Sequence, residues 1–247
     1  KQNDCLDLII PRGSNALVQH IQQHSRVPVL AHADGICHVY WDQAASLSKA
    51  MEIIIDAKTE YPAVCNAMET LLIHEQIPEN EIKQLLTNLL EAGVEIRACS
   101  AIMKKFSNKL NGIIHASEQD WKTEYTDLIL SVRLVPSHDE AIGHINHYGS
   151  GHTDAIITED RSIAEKFMDQ VDAANVFWNA STRFADGFRY GFGAEVGVST
   201  CKTHARGPVG LDGLVIHKYK LYGSGQGVAR YHEGGRQYLH QPLSRLN

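Results

Sequence analysis

"LLIHEQIPENEIKQLLTNLLEAGVEIRAC", residues 71–99, decides the fold class. It opens on a short apolar run, "LLIHE" (71–75), of strand composition. "PENEIKQLLTNLLEAG" (78–93) then reads as a helix. Pro78 stands near its start, Ile82, Leu85, Leu86 and Leu89 form one stripe, and Gly93 ends it. "VEIRAC" (94–99) returns as a strand. A strand, a helix and a strand in immediate succession make the unit of a parallel sheet, whose neighbouring strands need a long crossover between them.

The alternation continues on both sides. Upstream, "LDLIIP" (6–11), "VPVLAH" (27–32) and "ICHVYWD" (36–42) read as strands. "SNALVQHIQQHS" (14–25) has helical spacing, with Leu17, Val18 and Ile21 on one face, and "SLSKAMEIIIDAK" (46–58) is a helix with Ser46 as N-cap. Downstream, "LILSVRLV" (128–135) is a strand. "SHDEAIGHINHYG" (137–149) is a helix opened by a Ser137–Glu140 capping box and closed on Gly149. "DAIIT" (154–158), "DRSIAEKFMDQV" (160–171) and "NVFWN" (175–179) add another strand–helix–strand unit. Residues 100–125 are polar and carry no clear period. The stretch 179–213 is a long glycine-rich loop, and loops of that length in a compact domain are usually functional. "LVIHKYKLYG" (214–223) alternates like a late strand, and residues 224–247 read as a tail. The expected architecture is therefore α/β, with a largely parallel sheet.

Composition narrows the function. The chain has 247 residues, 43% hydrophobic and 21% charged, and a formal net charge of −6. A mildly acidic chain has no field to draw in a phosphate polymer, which argues against nucleic acid as a partner. No apolar run approaches the length of a membrane span, and no signal peptide is visible. The five cysteines, Cys5, Cys37, Cys65, Cys99 and Cys201, contain no CxxC pair, so neither a disulfide framework nor a zinc ribbon is expected. His144, His147 and His152 have ligand-like spacing, but a solvated helix face is the simpler reading, and no metal site is expected. "GFGAEVG" and "GSGQG" lack the strand-to-helix context of a dinucleotide fingerprint and read as turns.

Two stretches carry candidate chemistry. In "EYPAVCNAMETLLIHE" (60–75), Cys65 is either a small core residue or a nucleophile presented at a strand's start, with Asn66 beside it. In "NASTRFADGFRYGFGAEVG" (179–197), Asn179, Ser181, Thr182, Arg183 and Arg189 combine hydroxyls, amides and guanidinium forks that suit a phosphate or carboxylate. His204 and Arg206 in "HARGPVG" continue the style. The same loop also reads as an ordinary solvated one.

"DLIIPRGS", "HADGICHVYWD", "YPAVCNAMETLLIH", "YGSGHTDAIITED", "FWNASTRFADGFRYGFGAEVGVST" and "HARGPVGLDGL" together resemble the γ-glutamyl phosphate reductase family of the aldehyde dehydrogenase superfamily, in order and over nearly the whole chain. "TEYPAVCNAMETLLIH" and the residues after "LYG" look closer to the reductase half of bifunctional Δ1-pyrroline-5-carboxylate synthases, which implies a glutamate 5-kinase domain in the same parent chain. The resemblance implies NADPH-dependent reduction of γ-glutamyl phosphate to glutamate semialdehyde, through a thioester on Cys65, in proline biosynthesis. It implies that Asn66 borders the oxyanion, and that Arg12, Gly13, Ser14 and Glu124 meet the cofactor, Glu124 at its nicotinamide ribose. Asn179, Ser181, Thr182, Arg183, Arg189, His204 and Arg206 are then the candidates for the substrate's phosphate and carboxylates.

The same resemblance implies a domain plan. Residues 1–32 would close a cofactor domain lying mostly upstream, 33–212 would be catalytic, 213–223 would pair with a second copy in a homo-oligomer, and 224–247 would be a tail. The start without Met fits a piece of a longer chain. An intracellular enzyme is implied: mitochondrial for an animal bifunctional protein, cytoplasmic or plastid otherwise. "HADGICH" departs from hydrolytic aldehyde dehydrogenases in holding His32, Asp34 and His38 but no glutamate to activate water. That favours reduction over oxidation to an acid. Two other readings stay open: a hydrolytic dehydrogenase, and a non-catalytic assembly module in which Cys65 is packing. A catalytic Cys65 is expected to alkylate faster than the other four thiols of the complete enzyme.

Overall fold

The computed structural model describes residues 4–31, 34–202, 205–232 and 236–239. Seven strands form one sheet: β1 (Cys37–Trp41), β2 (Met68–His74), β3 (Glu95–Ala98), β4 (Ile113–His115), β5 (Ile129–Val135), β6 (Thr153–Ile157) and β7 (Asn175–Trp178). They lie in the order β4-β3-β5-β2-β1-β6-β7, and every pairing is parallel. β1 and β2 are buried at every position, the pattern of central strands covered on both faces.

Besides α1 (Asn15–His24), five helices supply that cover: α2 (Leu47–Thr59), α3 (Glu79–Glu91), α4 (Ser100–Phe106), α5 (His138–Tyr148) and α6 (Arg161–Gln170). One core joins α2, α3 and α4 to the face showing Val39, Trp41, Leu71 and Ile73; the other joins α5 and α6 to the face showing Tyr40, Leu72 and Ile156. Alternate residues of one strand thus serve opposite cores. On α3 the stripe Ile82, Leu85, Leu86 and Leu89 is fully buried, each side chain contributing roughly 1.5–3 kcal/mol of transfer free energy.

Most expected boundaries hold within a residue or two. Ser46 accepts from the Lys49 N–H and Ser137 from the Glu140 N–H, as N-caps should. Gly93 has φ +84°, which turns the chain out of α3 into β3. The polar stretch after Ala98 holds α4, β4 and a 3-10 turn, Glu118–Lys122. The loop after β7 is not featureless: β8 (Gly197–Ser199) and β9 (Gly207–Val209) pair as an antiparallel ribbon.

Three expectations are corrected. "LDLIIP" and "VPVLAH" make a single parallel bridge, Ile9 to Val29, instead of two full strands. Pro28 has no N–H to donate, and the ladder shrinks to Ile9 N–H to Pro28 O and Leu30 N–H to Ile9 O. His144 is buried rather than solvated: its ring meets His38, Trp121 and Tyr148, and Nδ1 lies 3.1 Å from an Arg133 nitrogen. Burial, then the neighbouring His38 and Arg133, lowers its pKa to about 2. The third correction concerns 214–223. The chain divides into two compact units at Leu214–Val215, and Leu214 ends a 3-10 turn while 215–223 forms no strand. Ile216 and Tyr219 are 96% and 93% exposed. The alternation is present, but among the described residues no strand lies alongside to take up its backbone groups. In the second unit a short helix, α7 (Ala229–His232), is followed by a Tyr231–Tyr238 ring stack.

Candidate active site

Cys65 sits in the turn between α2 and β2, with the Ala67 N–H closing on Val64 O at 2.9 Å. Tyr61 and Pro62 break α2, and the apolar run from Met68 starts β2, so the thiol is held between two rigid elements. Gly35 lies flat against it. A Cβ on Gly35 would stand 2.1 Å from Cys65 O and 2.4 Å from its Cα. Only glycine permits that approach. The Cys37 thiol donates to Cys65 O at 3.2 Å from beneath.

All of this lies at the amino ends of strands: Gly35 before β1, Cys65 before β2, Glu124 before β5. Ligands of open α/β sheets ordinarily sit at carboxyl ends. Here the segment after β7 runs back along α2 to reach the same end, and the Asn66 amide holds it there by donating to Ala185 O at 2.9 Å. One N–H of Asn66 is thereby engaged, while its Oδ1 is buried without a partner.

The electrostatics push the Cys65 thiol up. Burial is the largest cause, followed by the carboxylates Glu124 and Glu195, against which Arg183 pulls down. These surroundings disfavour the thiolate. Glu124 is itself raised, by burial and then Asp34, with the Gly35 N–H and Lys58 opposing.

The candidate ligands separate into groups. Arg183 is buried and forked onto Glu60, through Nε at 2.8 Å and Nη2 at 2.7 Å. Arg189 donates to Arg183 O and approaches Glu60 at 3.8 Å. With Asn179, Ser181 and the α2 residues Lys49, Glu52 and Asp56, they line a cleft of about 760 Å³. Ser181 caps its own turn by accepting from the Arg183 N–H, and Thr182 Oγ1 is buried without a partner. Asn179 spends both side-chain atoms on Thr158. Arg206 is elsewhere: it binds Asp172 at 3.0 Å and lines a separate cleft of about 370 Å³ with Ser150 and Lys202. His204 and His32 lie outside the described residues. His38 is buried on Asp154.

Glu124 lies close enough to Cys65 for its carboxylate to raise the thiol. Ser14 caps α1, and Arg12 lies against Gly197. Of these candidates for the cofactor, Glu124 is the one whose charge acts on the Cys65 thiol. Among the described residues no group of three or more His, Cys, Asp or Glu is placed to hold a metal, and no helix is long and apolar enough to cross a membrane.

No protein-family model matches the chain. Its sequence is 54% identical, over 99% of its length, to a γ-glutamyl phosphate reductase of Pelotomaculum thermopropionicum. Over nearly its whole length the chain is similar to proteins named γ-glutamyl phosphate reductase. It spans about half the length of the curated relatives it matches, 55% of that one. The γ-glutamyl phosphate reductase structure from Thermotoga maritima superposes with a TM-score of 0.83 at 43% identity, covering 90% of this chain and 54% of its own. An acetylating aldehyde dehydrogenase of Geobacillus thermoglucosidasius shares the fold at a TM-score of 0.62 and 20% identity, over 89% of this chain and 58% of its own. Both reductases are named for that activity alone, and lend nothing to the expectation of a fused kinase.

The sequence reading missed Gly35, Lys58, Glu60, Glu69 and Glu195. A glycine inside "DGICH", just before a strand, was the available signal for Gly35. The four charged residues carried none.

Proposed function

We propose that the parent protein reduces L-γ-glutamyl 5-phosphate to L-glutamate 5-semialdehyde and phosphate with NADPH, as a step of proline biosynthesis, and that this chain supplies its nucleophile. The observation that carries the reading is the convergence on Cys65. The motif's cysteine is clamped by Gly35, raised by the Glu124 charge, and reached by the Arg183 loop through Asn66 and Ala185.

In this reading the Cys65 sulfur, as thiolate, attacks the acyl carbon. The carbon–sulfur bond forms, the bond to the phosphate oxygen breaks, and phosphate leaves with the electron pair. A thioester remains on Cys65. Because the thiol is held above its ordinary pKa, its proton must pass to a base, and Glu124 and Glu195 are the carboxylates that act on it. Glu124 would contact a nicotinamide, which would supply the hydride to the thioester carbon; the carbon–sulfur bond would then break, freeing the aldehyde and returning the electron pair to the Cys65 sulfur. Thr182 Oγ1 and Asn66 Oδ1, buried and unpartnered, are polar groups left for the substrate. Residues 34–42 hold no glutamate to activate water, which supports reduction over hydrolysis. Segment 214–223 is assigned to pairing with a second copy by strand addition, in keeping with its exposed apolar side chains.

The test uses the full parent enzyme in reverse, with pyrroline-5-carboxylate, NADP⁺ and phosphate, for wild type and Cys65→Ser. Phosphate-dependent NADPH formation lost in the variant is the expected result. Turnover without phosphate would indicate a hydrolytic dehydrogenase, and a fully active Cys65→Ser would make Cys65 core filler.

A further inference from the structure

Lys58 and Glu69 form an ion pair at 2.6 Å, exposed by 0% and 1%. Fully buried charges of this kind are costly, and replacing a pair by apolar residues is often neutral or stabilising. Its location gives it a use. Lys58 is near the end of α2 and Glu69 is the second residue of β2, so the pair staples the two elements that flank the Cys65 turn. The other Glu69 oxygen, Oε1, accepts the backbone N–H of Thr126 at 3.3 Å.

Thr126 is a β-branched residue at φ +54°, a conformation that persists only where neighbours impose it. Those neighbours are on the same loop's underside. Tyr125 lies over Lys58 Nζ, 6.0 Å from ring centre, and its hydroxyl reaches Asp120 at 2.8 Å and Ser131 at 2.7 Å. One residue before Tyr125 stands Glu124, whose carboxyl the Gly35 N–H pulls down and which in turn raises the Cys65 thiol.

We propose that the Lys58–Glu69 pair is a positioning device for the reaction: by gripping Thr126 it sets loop 123–127 so that Glu124 faces Cys65. Neither residue touches the reacting atoms. This rests on the reading of Cys65 as nucleophile, but it makes a claim that can be checked without turnover. The charged groups acting on Cys65 are Glu124, Glu195 and Arg183, with Cys37 beneath; those acting on the pair are Asp127, Glu124 and Cys37. Releasing the loop removes one of the two carboxylates that hold the Cys65 thiol up.

The experiment uses the full parent enzyme, its other cysteines accounted for by mass mapping, and three forms: wild type, Lys58→Met/Glu69→Leu and Lys58→Met/Glu69→Gln. The Leu form fills the core without charge and abandons Thr126; the Gln form keeps a carbonyl for it. For each, the rate of Cys65 alkylation by iodoacetamide is measured against pH, beside kcat. The expected result is a Leu form that folds, whose alkylation profile moves to lower pH and whose kcat falls about 10²-fold, the scale of a roughly 1 Å misplacement. The Gln form keeps the wild-type profile and most of kcat. A folded Leu form with unchanged profile overturns the proposal. Should the Leu form not fold, the Gln form decides, since a shifted profile there overturns it equally. Loss of the nucleophile reading would show separately, as turnover surviving Cys65→Ser.

Discussion

Gly35 and Cys65 touch backbone to backbone, with no room for a methyl group between them. A Cβ on Gly35 meets Cys65 O, Cα and C at 2.1, 2.4 and 2.6 Å, all of them main-chain atoms that cannot rotate away. Gly35→Ala must therefore move the whole 62–67 turn, and with it the sulfur. The expected outcome in the parent enzyme is a fall in kcat of about 10²-fold, from displacement of the nucleophile by roughly 1 Å. An overpacking cost of about 1–3 kcal/mol should accompany it. Steady-state kinetics and a thermal melt check both, and wild-type kcat in Gly35→Ala would refute the geometry.

Arg183 is the cation that lowers the Cys65 pKa against burial and two carboxylates, while its fork is committed to Glu60. Removing its charge leaves the thiol higher still. Arg183→Met should move the alkylation profile of Cys65 to higher pH, opposite in sign to releasing Glu124. Arg183→Lys keeps the charge but loses the two-nitrogen grip on Glu60 Oε2. It should hold the profile while costing about 1–3 kcal/mol of stability in urea titration. A profile insensitive to both would mean that Arg183 serves only Glu60.

What could be read from the sequence follows from which forces are local. The α3 stripe with Pro78 and Gly93, the caps Ser46 and Ser137, and the apolar runs of β1, β2 and β6 are local patterns, and all appear in the structure. Cys65 stood out through its motif. Long-range partners were not. Nothing in "STRFADGFR" says that Arg183 will spend its fork on Glu60, or that Asn179 will serve Thr158. "LDLIIP" and 214–223 have strand composition, but a strand is completed only by a neighbour whose position composition does not encode. Buried Lys58 shows the limit most plainly, since on α2 it reads as an exposed charge until Glu69 is placed against it.

Asn179 takes φ +54°, where asparagine is tolerated and alanine is not. Its Oδ1 accepts from the Thr158 N–H at 3.0 Å and its Nδ2 donates to Thr158 O at 2.9 Å, pinning the turn out of β7. Asn179→Gly loses the two bonds but keeps the backbone, at about 1–3 kcal/mol. Asn179→Ala adds the left-handed penalty, about 1–2 kcal/mol more. Melting temperatures should fall in the order wild type, Gly, Ala, with KM for the acyl phosphate little changed in the Gly form. A large rise in KM without loss of stability would return Asn179 to the substrate site.

Asp120 sets an acid limit on the fold. Burial pushes its carboxyl up, but bonds from Arg97 at 2.7 Å, from the Ser117 N–H and hydroxyl at 2.6 Å each and from Tyr125 at 2.8 Å outweigh it and hold the pKa well below the ordinary 3.8. A folded value below the unfolded one means that unfolding takes up a proton in acid. The stability Asp120 contributes is therefore complete above the unfolded value near 3.8 and drains away as pH falls toward the folded one. Asp120→Asn removes the charge-assisted bonds, at roughly 1.5–3 kcal/mol near neutral pH. Urea unfolding of both forms, followed from pH 6 downward, should show a constant gap that begins to close only below about pH 4. A gap that stays constant to pH 2.5, or one already closing at pH 6, would show that Asp120 is not the group whose protonation loosens this end of β5.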